Sequence, residues 1–502
     1  MSATAYWHRI TARPLPWLLL LAAILRAIAA FQPGFHHPDA IYQYLEPAHR
    51  LLTGDGVVTW EWRVGMRSWL LPALLTLPMA LGEALGQAGP WPVALPRLAM
   101  GAASLSIVWS AWTLGCRRSP TAGLLAGFVT ATWFECVYFG VQTLAEPAAT
   151  AAVLPAAVLL TAVRPTRRNA ALAGGLLAFA VLMRPHYAPS AAALVLVAWW
   201  PRFRFGRDAL PLWAALIGGG LAMAAIGAGI DIATGATPFA WIVENVRQNI
   251  VGGVAARYGV APPLQYVTWL MQVWIVWAIP LGIGVYAGWR ACPALLATAV
   301  VTIGVHSLIG HKEYRFVYLA IVALLILSAI GWAELVRRVR ERRNIATIAL
   351  FVAWGLAGSL LALGPLARAH REEGVPGSKV FAALRADPAT CGVALVHGAS
   401  YADLPGSAAL RRGTPLAMFW IDDPVATHGA SPWVAMARHQ AGFNRIVGSV
   451  PRTGTPPPGY RTVMCEDATT VIGLCLYARP GPCADTHASP FLLNRVLARR
   501  GF

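Results

Sequence analysis

The sequence predicts an α-helical polytopic membrane protein of about eleven transmembrane helices, followed by a small C-terminal α/β domain outside the membrane. Composition is the first observation behind this reading. Of 502 residues, 57% are hydrophobic and 12% charged, with a mean hydropathy of +0.55, whereas soluble domains carry about 25% charged residues. The second is a succession of apolar stretches, several of them at least as long as a span requires. The third is the placement of charge. The chain has a net charge of +18, with Lys312 and Lys379 the only lysines among 40 basic residues. Its arginines sit in short loops between apolar runs, which is the positive-inside pattern and not the basic face of a nucleic-acid binder.

The first apolar run, from Leu15 to Phe31, follows Arg9 and Arg13 and leads into Gln32-Pro33-Gly34-Phe35-His36-His37. No small-residue cleavage site ends it, so it reads as a retained span. A polar-aromatic segment follows over 32–92, containing an apolar piece from Ser68 to Leu85 interrupted by Pro72 and Pro78. Further spans are expected at 93–115, 120–140, 147–163, 169–183, 188–201, 209–232, 264–289, 291–310, 315–335 and 344–364. If 68–85 lies in the interface, the loops alternate cleanly. One side receives sixteen arginines, in clusters at 9/13, 117/118, 164/167/168, 202/204/207, 290 and 337/338/340/342/343. The other receives Asp39, Glu46, Asp55, Glu61, Glu83, Glu146, Glu244 and Glu313. If the piece crosses, every later arginine cluster changes sides. Charge therefore favours eleven spans, with the N-terminus cytoplasmic and the C-terminal domain outside.

Composition changes after Leu363. Residues 366–502 alternate short β-like runs (Val393 to Val396, Phe443 to Val450, Gly473 to Tyr477) with Gly/Pro turns. The expected domains are thus 1–365 in the membrane, with 32–92 as its first outer loop, and 366–502 as an outer soluble domain. Cys391, Cys465, Cys475 and Cys483 lie there. An even count in an oxidising compartment suggests two disulfides, of three possible connectivities, and the spacings fit no zinc ribbon or finger.

Acidic groups beside a bilayer are costly and tend to be functional, and the first outer loop is densest in them. His36, His37, Asp39, Glu46, His49, Asp55 and Glu61 interleave there with Tyr42, Tyr44, Trp60 and Trp62. An ordinary aromatic belt is one reading. A metal site is another, from Glu46-x-x-His49, but di-iron bundles need that motif twice and no second copy exists. The third is a carboxylate acting as general base on a lipid-linked substrate. Asp39 is the best candidate, following the span closely with His37-Pro38 constraining the backbone ahead of it.

The stretch His37-Pro38-Asp39-Ala40-Ile41-Tyr42-Gln43-Tyr44-Leu45-Glu46-Pro47-Ala48-His49 resembles the first-loop motif of the Alg9-like and glycosylphosphatidylinositol mannosyltransferases, glycosyltransferase family 22. Trp60-Glu61-Trp62-Arg63 and Arg67-Ser68-Trp69-Leu70-Leu71-Pro72 are similar to that motif's continuation, and His311-Lys312-Glu313-Tyr314-Arg315-Phe316 to a later "HKExRF" motif. The resemblance covers roughly residues 10–335. It implies the GT-C membrane fold and inverting transfer of mannose from a polyprenyl-phosphate sugar to a glycolipid or glycan acceptor on the non-cytoplasmic face. The first-loop Asp39 would be general base, and Trp60 and Arg63 would contact substrate. The family usually carries an acid where this chain has Ala40, a loss that Glu46 or Glu146 would have to supply.

The chemistry of such a reaction points the same way. Inversion needs a base on the acceptor hydroxyl opposite the leaving phosphate, and that phosphate needs cationic donors. Lys312 and Arg315, three apart, would share a face on a helical turn, with His311 as a third donor. Headgroup anchoring by snorkelling and local pairing with Glu313 are the alternatives, and the motif match favours phosphate. Glu146 opens a span, where a carboxylate suits the helix dipole. Arg184 is an outer-side arginine against the positive-inside bias, which suggests an anionic partner such as phosphate. The expectation is a bacterial inner-membrane glycosyltransferase with membrane lipids around it, a lipid-linked sugar as co-substrate and no resident cofactor assigned. The rival is a transporter or flippase of lipid-linked sugars, which would predict inverted repeats and broken helices at mid-membrane.

Overall fold

The computed structural model describes residues 14–35, 37–200, 209–339, 343–396, 404–420, 432–449, 458–466, 474–484, 486 and 489–502. His36 and the arginines at 9, 13, 202, 204, 207, 340 and 342 lie outside these residues. The chain forms two compact units. One comprises 1–30 and 98–367, the other 31–97 and 368–502, so the first loop groups with the C-terminal region.

Helices occupy all eleven stretches expected to span. Five are long and apolar enough to cross a bilayer: Trp91–Cys116, Leu210–Ala233, Gln265–Ala291, Tyr314–Arg337 and Asn344–Leu363. A helix of 24 residues reaches about 36 Å, against a hydrocarbon core of about 30 Å. Pro120–Thr132 and Phe134–Gly140 make a sixth if taken together, bent by 56° at Trp133. Pro14–Ala30, Ala145–Leu160 and Pro293–Ser307 are apolar but shorter, as are Arg167–Met183 and Ala188–Trp199. Sixteen residues reach only about 24 Å.

Glycines bring the helices of the first unit into backbone contact. A Cβ on Gly288 would stand 2.1 Å from the Leu327 carbonyl oxygen, and one on Gly331 would stand 1.9 Å from that of Gly284. Gly284-x-x-x-Gly288 therefore seats the 278–288 helix on the central Tyr318–Arg337 helix, as small residues do between membrane helices. Gly174 and Gly219 do the same for Arg167–Met183 and Leu210–Ala233. At the Trp133 bend, the last carbonyls of Pro120–Thr132 have lost their helical donors. The buried Arg26 supplies them, donating to Thr130 O at 3.1 Å, Ala131 O at 3.2 Å and Ser104 Oγ at 2.6 Å.

The second unit contains a five-stranded sheet. Its strands are β1 (Val393–Val396), β2 (Leu416–Phe419), β3 (Arg445–Ser449), β4 (Arg461–Glu466) and β5 (Leu474–Ala478), in the order β2-β1-β3-β5-β4. β1 pairs in parallel with β2 and β3, and β5 pairs antiparallel with β3 and β4. The three runs read as strands are β1, β3 and β5. Phe419, Phe443, Tyr477 and Phe491 fill the core on one face. All four C-terminal cysteines are bridged. Cys465–Cys475 joins partners across β4 and β5, and Cys391–Cys483 ties the entry to β1 to the segment after β5. Leu70–Leu85 also belongs to this unit. It buries Leu71, Leu75 and Met79 and exposes Leu74, Leu77, Leu81 and Leu85, the two-sided pattern of a helix lying along an apolar boundary.

Candidate active site

Pro38 opens a helix at its favoured first-turn position. Ala40–Leu45 forms a π-helical turn running directly into Glu46–Thr53. Single π-turns are rare and concentrate at functional sites. Asp39 is the residue before this turn, already in helical conformation and not extended. Its carboxylate is 23% exposed, with Oδ1 3.4 Å from His37 Nδ1. Behind it the turn is fixed. The Trp62 indole donates to the Tyr42 carbonyl at 3.1 Å, and the buried Tyr42 hydroxyl donates to Leu404 O at 2.9 Å. Ala40 is fully buried.

Glu46, expected as a second catalytic acid in this loop, lies away from solvent. It is fully buried, and its two oxygens accept from Val57 N at 2.5 Å and Ala408 N at 2.6 Å. Burial pushes its carboxyl up to about 7, partly offset by those donors. The geometry makes it a strut between the Asp39 helix and the 404–410 segment. Trp60 and Arg63 lie on the short Trp60–Arg63 turn. There the exposed Arg63 donates to Val58 O at 2.5 Å, and Glu61 faces Arg67 at 3.5 Å.

In the first unit, the residues expected to hold phosphate form a chain of charges. His311 Nε2 meets Glu313 Oε1 at 3.1 Å, and Glu313 Oε2 accepts from Arg315 Nε at 2.6 Å. Arg315 also reaches Glu146 Oε1 at 3.4 Å, and Arg184 meets the same oxygen at 3.1 Å. Glu146 is thus more than a capping acid. It is a fully buried carboxylate gathering two arginines from separate elements. Arg184 keeps 13% of its side chain exposed and stacks on Phe316 at 4.1 Å. The bond from His311 to Glu313 holds the His311 imidazole above the usual histidine range.

Lys312 departs from expectation. It does not share a face with Arg315, because the helical turn at Tyr314–Val317 begins only after it. Its ammonium turns back to the end of Pro293–Ser307, donating to Ser307 O at 3.0 Å and to Ile309 O, and burial lowers its pKa.

Residues 17–392 match the Alg9-like mannosyltransferase family. This chain belongs to that family. GPI mannosyltransferase 3 of Yarrowia lipolytica is 27% identical over 369 residues, covering 70% of this chain and 68% of that protein. GPI alpha-1,2-mannosyltransferase 3 of Danio rerio is 26% identical over 322 residues, 59% of this chain and 56% of that one. Among solved structures, ArnT from Cupriavidus metallidurans bound to undecaprenyl phosphate aligns with TM-score 0.57 over 96% of this chain and all of its own, at 11% identity. Its apo form aligns with TM-score 0.59 at 12% identity. The protein is a membrane mannosyltransferase with the GT-C fold.

One residue of this Alg9-like mannosyltransferase escaped the sequence reading. Glu135 lies at the Trp133 bend, 1% exposed. It accepts from the Trp133 indole at 2.7 Å, the Trp274 indole at 3.0 Å and the Tyr314 hydroxyl, so it anchors the centre of the His311–Phe316 motif. The signal was present: a carboxylate inside an otherwise apolar run is costly unless partnered.

Proposed function

We propose that this mannosyltransferase takes mannose from a polyprenyl-phosphate sugar and transfers it, with inversion, to a hydroxyl of a glycan or glycolipid outside the cytoplasm. The observation that carries the reading is Asp39, a partly exposed carboxylate fixed at the start of a buried helix whose next turn is π-helical. In this reaction Asp39 accepts the acceptor's hydroxyl proton as its oxygen attacks the anomeric carbon. The bond to the lipid phosphate breaks on the opposite face, leaving that phosphate with one more negative charge. Arg184 and Arg315 stabilise the departing charge, preorganised by Glu146 so that little rearrangement is needed. Lys312 and His311 add positive charge nearby, and Trp60 and Arg63 contact the substrate. Undecaprenyl phosphate bound to a protein of the same fold supports the donor class.

The two disulfides support an oxidising compartment for the 366–502 domain. The proposal accordingly puts this domain on the periplasmic side of a bacterial inner membrane, with the N-terminus cytoplasmic and 1–365 as the membrane-embedded part. Transfer by purified protein with a panel of polyprenyl-phosphate sugars tests the proposal. Mannose transfer from the lipid donor is the expected result; activity with a nucleotide sugar alone would contradict it.

A further inference from the structure

The second unit contains a cleft of about 190 Å³ at the far end of the Asp39 helix, bounded by 49–57, 407–416 and 492–495. Its lining is polar and mixed. His49, Asp55, Ser407, Arg411, Thr414 and Asn494 bring an imidazole, a carboxylate, hydroxyls, a guanidinium and an amide around one space. His49 is the informative member. It is 3% exposed, and its Nδ1, 3.7 Å from Glu83 Oε1, has no hydrogen-bond partner among the described residues. A buried polar atom without a partner is expensive unless a ligand or water supplies one.

Three features argue against an anion here. The Asp55 carboxylate lines the cleft. Arg411 already donates to Arg385 O at 2.7 Å and to Ala386 O. Burial lowers His49 to about 4, so its ring is neutral. Arg495, also in the lining, donates to Ser489 O at 2.9 Å, so both guanidiniums have internal acceptors, and the mix of donors and acceptors around a neutral imidazole is the complement of a polyol. From the proposed reaction we infer that this cleft holds one neutral pyranose ring of the acceptor glycan. Ten residues of helix separate Asp39 from His49, roughly 15 Å at about 1.5 Å per residue. The ring is therefore a distal one, beyond the immediate neighbour of the ring whose hydroxyl is attacked, and the enzyme senses acceptor length with it.

The test uses the full-length protein, titrated calorimetrically with mannotriose, maltotriose, chitotriose, methyl α-mannoside and inorganic phosphate. At least one trisaccharide binds the wild type and binds more tightly than the methyl glycoside. Thr414→Trp, which fills the cleft, and Asp55→Ala, at an exposed position, each weaken that trisaccharide at least tenfold at unchanged thermal midpoint. Asp39→Asn binds it as the wild type does while losing transfer, so failure of the cleft and failure of the base are read separately. No trisaccharide binding by the wild type, undiminished binding by both variants, or phosphate binding more tightly than every sugar overturns the inference.

Discussion

Asp39 and Glu46 are seven positions apart, and their surroundings give them opposite work. Asp39 keeps part of its carboxylate in the open, whereas Glu46 is sealed against two backbone donors. Glu46→Ala leaves both donors buried and unpaired, at about 1–3 kcal/mol each, so a lower thermal midpoint is expected. The pH dependence follows from the shifted carboxyl. The folded Glu46 titrates at about 7 against 4.5 when unfolded. Between those values the folded state holds more protons, so this group's stabilisation is complete below about 4.5 and lost as pH rises through 7. His49 has the opposite sign, at about 4 folded against 6.5 unfolded, and adds stability as pH rises between them. The difference in midpoint between wild type and Glu46→Gln isolates the first effect. It should shrink from pH 5 to pH 8, and a flat difference would contradict the assignment. At this scale the two family-like motifs, around Asp39 and over His311–Phe316, stand out in local sequence. The strut role of Glu46, the turn-back of Lys312 and the anchoring by Glu135 do not, because each depends on partners far away in the chain.

Among elements, the helices were the most legible, since hydropathy alone marks an apolar run. Their lengths were less so: the Trp133 bend divides the 120–140 run that composition alone joins. In the sheet, β1, β3 and β5 are buried and β-rich and were read correctly. β2, Leu-Ala-Met-Phe, has the residues of a helix, and β4 carries Arg461 and Glu466 on a mostly exposed strand. Neither shows the pattern that marks a strand. Two expectations belong here. Alkylation without reductant should leave Cys391, Cys465, Cys475 and Cys483 unmodified, and labelling of any of the four would contradict the bridges. Gly288→Leu would drive a side chain into the Leu327 carbonyl, only 2.1 Å from where its Cβ would stand. The two helices must then separate, and a marked fall in thermal midpoint is expected.

At the scale of the whole molecule, the family and the GT-C fold were legible because three motifs occur in order along the chain. The grouping of 31–97 with 368–502 was not. It rests on Tyr42, Glu46 and Asn494 meeting segments more than 350 residues away, and no local pattern encodes such a pairing. The topology proposal makes its own prediction: cysteines placed in 37–65 and in 366–502 should label from one side, and those at 117–119 and 338–339 from the other. The central claim is that Asp39 is the base. The Asp39→Asn enzyme keeps the side chain's size and removes its basic oxygen, so transfer should fall by about 10²–10⁴ while affinity for the lipid-linked donor stays near that of the wild type. Near-normal turnover by the folded variant would contradict the account.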